Sequence, residues 1–144
     1  WKGYHNSMTV SEMKVRIGGH PDRRCSAKST VYASCTHAYQ SGKIVSGFYC
    51  VDPQGLGKFP VFCDQTTDGG GWETFQRRAD GSVDFYENMV SYRAGFGNGV
   101  EFWLGLDNMV SLSKAKEMRV DLWSGSEFRT AYYAGFKLSW HTAN

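Results

Sequence analysis

The sequence predicts an α+β domain in which short helices lie against a twisted, mainly antiparallel sheet. Three observations carry that reading. Apolar residues alternate along the C-terminal third, they recur at three- and four-residue steps mid-chain, and glycine-rich turns separate these segments. At 144 residues the chain suits a single domain able to bury roughly two thirds of its unfolded surface. Hydrophobic residues make up 41% and charged residues 21%, which excludes a disordered chain. The net charge is +2 with no long run of one sign, so no nucleic-acid footprint is visible. No apolar stretch approaches the ~20 residues that a membrane span needs.

Taken in order, residues 1–32 read as a polar leader or the end of an upstream segment, with the domain proper over 33–144. The chain begins at Trp1 rather than Met, which suggests a processed product or a fragment, and no signal-peptide pattern precedes the domain. One short strand, Met13 to Ile17, is the most this leader offers. A helix is expected from Cys35 to Ser41, closed by Gly42. Strands follow at Phe48–Val51 and Phe59–Cys63, separated by the turn-rich Asp52-Pro53-Gln54-Gly55. Asp68-Gly69-Gly70-Gly71 is a loop, after which Trp72–Arg77 resumes as a strand.

Phe85, Met89, Tyr92 and Phe96 then recur at helical spacing, ended by Gly95 and Gly97-Asn98-Gly99. Asp107 is a candidate N-cap for a second short helix carrying Met109, Val110 and Leu112. Met118, Val120 and Leu122 alternate with Arg119 and Asp121. From Phe128 to Trp140 every even position except Thr130 is apolar or aromatic, with Arg129 and Lys137 on the odd face. That alternation predicts a long, half-buried strand. It runs almost to Asn144, so the chain reads as cut short, with an apolar strand left near an end.

Cys25, Cys35, Cys50 and Cys63 form an even, clustered set, which points to disulfides in an oxidising compartment. Their spacings of 10, 15 and 13 residues lack the close ligand pairs of a structural zinc site. Gly69-Gly70-Gly71-Trp72 is not a phosphate cradle, because Trp, Glu and Thr follow where Lys and Ser/Thr are required. His5, His20, His37 and His141 are scattered. Asp64, Asp68, Asp80 and Asp84 stand near turns, where a carboxylate supports the backbone. No nucleophile lies in a recognisable catalytic context, so the sequence gives an enzyme no positive support.

Several blocks in order are similar to the fibrinogen-related (fibrinogen C-terminal) domain. They include Gly47-Phe48-Tyr49-Cys50-Val51-Asp52-Pro53, Phe59-Pro60-Val61-Phe62-Cys63-Asp64 and Gly69-Gly70-Gly71-Trp72-Glu73-Thr74-Phe75-Gln76-Arg77-Arg78. Asp80-Gly81-Ser82-Val83-Asp84-Phe85-Tyr86, Tyr92-Arg93-Ala94-Gly95-Phe96-Gly97-Asn98 and Glu101-Phe102-Trp103-Leu104-Gly105 continue the match. It closes with Met118-Arg119-Val120-Asp121-Leu122 and Ala131-Tyr132-Tyr133-Ala134-Gly135-Phe136-Lys137-Leu138, covering roughly residues 33–139.

The resemblance implies a secreted, non-enzymatic recognition domain of the ficolin, tachylectin and angiopoietin type. Its ligands would be glycans or other cell-surface or microbial patterns. It implies a bridge between Cys35 and Cys63, while Cys25 and Cys50 depart from the family pattern. Those two pair with each other, bridge to another chain, or leave Cys50 a buried thiol; the intramolecular pair is the leading expectation. Trp72, Phe75, Phe85, Trp103 and Phe136 are expected in the core. The match breaks near Ser139, so the family's calcium loop, second disulfide and acetyl-group pocket are expected to lie outside this sequence, with no cofactor held here. The alternative function is an assembly piece that links chains through Cys25 or Cys50.

Overall fold

The computed structural model describes residues 9–10, 25–112 and 117–139. Along the chain run β1 (Thr9–Val10), β2 (Val31–Tyr32), α1 (Cys35–Gln40), β3 (Gly47–Val51), β4 (Phe59–Asp64) and β5 (Trp72–Thr74). There follow β6 (Gln76–Arg77), α2 (Met89–Ala94), β7 (Phe96–Gly97), β8 (Phe102–Trp103), α3 (Leu106–Ser111), β9 (Glu117–Ser124) and β10 (Glu127–Ala134). The strands make one four-stranded sheet, β2-β3-β4-β5, and two of three strands, β1-β9-β10 and β6-β8-β7. The α+β expectation holds, with β2 parallel to β3 and every other pairing antiparallel. No helix among the described residues is long and apolar enough to cross a membrane.

The contacts divide the chain into two compact units, Lys14–Phe75 and a second formed by Trp1–Met13 with Gln76–Asn144. In the first, the hairpin β3–β4 is the centre. Asp52 closes its loop by accepting from the amide of Leu56 at 3.0 Å. Phe48 faces Phe62 across the ladder, their rings edge to face at 5.3 Å. Val51, Val61, Phe62 and Cys63 are fully buried, together with Cys35 and Ala38 from α1. Ser34 caps α1, its hydroxyl accepting from the amide of His37 at 3.0 Å.

Residues 25–32 do not behave as a leader. Cys25 is covalently tied to β3, and Val31 and Tyr32 form β2 on the same strand, so the unit begins well before residue 33. The expected Met13–Ile17 strand lies outside the described residues. The single strand expected over Trp72–Arg77 is two strands broken at Phe75, each joined to a different sheet.

The second unit departs from the periodicity in three places. The spacing of Phe85, Met89, Tyr92 and Phe96 yields a helix only over Met89–Ala94, capped by Asn88, whose side chain accepts from Ser91 at 2.9 Å. Phe85 and Phe96 flank it and meet at 4.9 Å, while Tyr92 meets Phe96 at 5.2 Å and Trp103 at 5.4 Å. The spacing thus marks an aromatic cluster rather than three helical turns. The N-cap of α3 is Gly105 instead of Asp107, because the backbone of Ala94 leaves no room for a side chain: a Cβ on Gly105 would lie 2.8 Å from its carbonyl carbon. Asp107 stands in the first helical turn, where its charge complements the dipole, and pairs with Arg93 at 3.2 Å.

The third departure is β10, which ends at Ala134 before Gly135 turns the chain at φ 74°. It is an edge strand, so one ladder holds it, and both of its faces are largely exposed. The expected half-buried strand to Trp140 is therefore shorter and more open. On one face Asp121 accepts from Arg119 at 2.8 Å and from Thr130, its cross-strand partner, at 2.9 Å. Trp123 and Phe128, also register partners, meet with tilted rings at 4.5 Å.

Candidate functional site

Among the described residues no group of His, Cys, Asp and Glu could hold a metal ion. What the structure does assemble is a set of buried polar and covalent ties. Two disulfides organise the first unit, Cys35–Cys63 and Cys25–Cys50, with no cysteine left free. Cys25 and Cys50 close an intramolecular bond in this structure, the leading expectation for that pair. The two bonds interleave along the chain, closing loops of 28 and 25 residues. Cys35 and Cys63 are fully buried, whereas Cys25 and Cys50 are half-exposed.

A polar frame surrounds the buried bond. The amide of Cys35 donates to Glu73 at 2.9 Å, and the carbonyl of Cys35 accepts from the Gln65 side chain at 3.1 Å. Gln65 also takes the Gly71 amide at 2.8 Å, and its own amide donates to the Ser46 hydroxyl at 2.8 Å. Burial pushes the Glu73 carboxyl up, and hydrogen bonds from backbone amides only partly offset this. The glycine loop folds onto α1, where the Thr36 hydroxyl donates to the carbonyl of Gly71 at 3.2 Å. A Cβ on Gly71 would stand 2.8 Å from the Thr36 hydroxyl, at a φ of +81°. Gly71→Ala is expected to cost about 1–3 kcal/mol, measured by denaturant unfolding.

In the second unit the central group is Glu101, 1% exposed. Asn98 sets its entry: the side-chain oxygen accepts from the amides of Val100 and Glu101, each at 3.0 Å, and the Asn98 amide donates to the Glu101 carbonyl at 2.9 Å. The tight turn needs Gly97, whose Cβ would collide with the backbone of Glu101 and Phe102. The carboxylate then gathers the loop after β6. Oε1 accepts from the amides of Ala79 at 2.7 Å, Asp80 at 3.1 Å and Gly81 at 2.9 Å, and Oε2 accepts from Val83 at 2.9 Å.

Arg78 completes the clamp. Its guanidinium lies 3.7 Å from Oε2, donates to the Val83 carbonyl at 3.0 Å, and sits 3.9 Å over the Phe85 ring. Burial alone would raise the Glu101 carboxyl; hydrogen bonds from Ala79, Val83 and Gly81, together with the Arg78 charge, outweigh it and hold the group below its ordinary value. Asp80 and Asp84 support turns as expected, accepting from Ser82 at 3.0 Å and Tyr86 at 2.9 Å.

Trp72, Phe75, Phe85, Trp103 and Phe136 are all half-buried rather than fully buried. Phe85 and Trp103 join the aromatic cluster around Tyr92, with the Trp103 indole donating to the Tyr92 carbonyl at 2.8 Å. Phe136 stands beyond the end of β10. Among the described residues of the second unit the buried apolar positions are Phe102 and Leu104. Sequence reasoning did not single out Glu101. The signal for it is a lone charge inside the apolar run Val100-Glu101-Phe102-Trp103-Leu104, a pattern that costs too much to keep unless the charge is paired.

Residues 31–143 match the family model for the C-terminal globular domain of fibrinogen beta and gamma chains. Human ficolin-3 is 49% identical over 111 residues, covering 73% of this chain and 36% of ficolin-3. Mouse tenascin-R is 41% identical over 128 residues, covering 78% of this chain and 9% of tenascin-R. Among solved structures, the fibrinogen-like globe domain of human ANGPTL6 superimposes with a TM-score of 0.68 at 38% identity, covering 79% of this chain and 54% of that one. The chain thus spans about a third of ficolin-3 and about half of the ANGPTL6 globe. With the Cys35–Cys63 bond, the glycine loop and the Glu101 clamp falling inside the matched stretch, the chain belongs to the fibrinogen C-terminal domain family.

Proposed function

We propose that this chain serves extracellular, noncovalent recognition of the lectin-like kind, as part of a fibrinogen-related protein that reads glycan or other cell-surface or microbial patterns. In this reading no bond is made or broken, and the described residues are the framework. The calcium and acetyl-group contacts of the family lie outside them. The observation that carries the proposal is the family match over residues 31–143, supported by 49% identity to ficolin-3. Two disulfides suit an oxidising, secreted setting. Of the carboxylates that converge, Glu73 Oε1 accepts the Cys35 amide and both oxygens of buried Glu101 accept backbone amides of the loop after β6.

The test is a thermal melt of the chain followed by Trp fluorescence, alone, with calcium, and with an N-acetylated sugar. A ligand at 100 times its dissociation constant adds about 2.7 kcal/mol to a folded binder. The framework reading expects a cooperative transition that neither addition moves. An upward shift of several degrees with either one would place a recognition site within these residues and overturn it.

A further inference from the structure

The two disulfides of the first unit differ in their surroundings in a way that separates their chemistry. Cys35 and Cys63 are fully buried, with Cys63 held between Gly47 of β3 and Glu73 of β5 and both backbone groups of Cys35 engaged by Glu73 and Gln65. A thiolate must approach the sulfur along the S–S axis, so this bond opens only when the unit itself unfolds. Cys25 and Cys50 are half-exposed, and among the described residues few other ties hold the segment that follows Cys25. Ser26 and Ser29 bond mainly to each other, the Lys58 ammonium donates to the Ser26 carbonyl at 2.6 Å, and β2 is a two-residue ladder on β3. The core residues Val51, Val61 and Phe62 are also held by the ladder in which β3 pairs along its whole length with β4.

We propose that Cys25–Cys50 is a releasable clasp: a small dithiol or a dithiol exchange protein opens it while Cys35–Cys63 and the folded unit persist. The thiolate of the reductant bonds to Cys50 Sγ and the Cys25–Cys50 bond breaks. Cys25 leaves as a thiolate, next in sequence to Ser26, whose carbonyl the Lys58 ammonium holds, and takes a proton from water. The reductant's second thiol loses its proton to water and closes on the first, expelling Cys50 as a thiolate that is protonated in turn. Two electrons thereby pass from the dithiol, which becomes a disulfide, to the cystine. The result frees Cys25 from β3.

The experiment exposes the oxidised chain to dithiothreitol, quenches samples over time with iodoacetamide, and locates the alkylated cysteines by peptide mass mapping while Trp fluorescence reports folding. Cys25 and Cys50 are expected to label at least about tenfold faster than Cys35 and Cys63, with the fluorescence unchanged during the first phase. A Cys25→Ser/Cys50→Ser double variant should show no fast phase and the same slow one. Labelling of all four cysteines in step, together with loss of the folded signal, would overturn the proposal. Earlier labelling of Cys35 and Cys63 would overturn it equally.

Discussion

Glu101→Ala is expected to lower the stability of the second unit by about 3–5 kcal/mol, the range for removing one member of a buried charge network. The substitution leaves the amides of Ala79, Asp80, Gly81 and Val83 without their acceptor and the Arg78 guanidinium without its carboxylate. Each unsatisfied buried donor costs about 1–3 kcal/mol, reduced here because the loop can relax towards water. Glu101→Gln keeps the shape and one acceptor oxygen but loses the charge and turns an NH2 group towards a donor, so about 2 kcal/mol is expected. Denaturant unfolding followed by Trp fluorescence reads both.

The pH response follows from the same geometry. The folded Glu101 carboxyl sits below its ordinary value, so its contribution is fully present above about pH 4.3 and is lost as pH falls through the depressed folded value. Glu73 acts in the opposite sense. Its folded value is raised, so its contribution is full below the ordinary range and is lost as pH rises through the folded value. Acid therefore weakens the Glu101 unit selectively, and the Glu101→Gln variant should lose most of that acid dependence.

Cys35→Ser is expected to lower the melting midpoint by roughly 10–15 °C. Opening a loop of 28 residues removes a constraint worth about 3.5 kcal/mol in the chain-entropy account. Two further costs follow: a hydroxyl takes a fully buried position, and the Cys63 thiol is left inside β4. The second disulfide shares part of the same loop, so the losses from removing both bonds would be less than additive. A Cys35→Ser midpoint within about 2 °C of the parent would show that this bond does not hold the unit. Calorimetry under nonreducing conditions makes the comparison.

The first unit was largely legible in the sequence, because its signals are local or covalent. Asp52-Pro53-Gln54-Gly55 between two β-branched and aromatic runs defines a hairpin, and Gly42 closes a short helix that begins at Cys35 as expected. The pairing of Cys35 with Cys63 came from the family resemblance, and the structure places the two sulfurs together. The second unit was less legible, because periodicity reports which residues share a face and not what lies against it. Phe85, Tyr92 and Phe96 gather around a six-residue helix, so helical spacing overstated the helix. The alternation in β10 was real, yet the strand lies at a sheet edge and stays exposed. Gly105 displaced Asp107 as a cap because of a close backbone approach that one-dimensional spacing cannot show. Glu101 meets donors 18 to 22 residues away in sequence, a distance at which no local pattern operates.

The most direct test of a framework organised around a buried carboxylate is amide hydrogen exchange at Ala79, Asp80, Gly81 and Val83 in the parent chain and in Glu101→Ala. These residues lie outside every helix and strand, and Asp80 and Gly81 are exposed, so without the carboxylate their amides exchange at loop rates. The clamp predicts that all four are protected in the parent and that protection collapses together in the variant while β9 and β10 remain protected. Exchange of these amides at unprotected rates in the parent would contradict it.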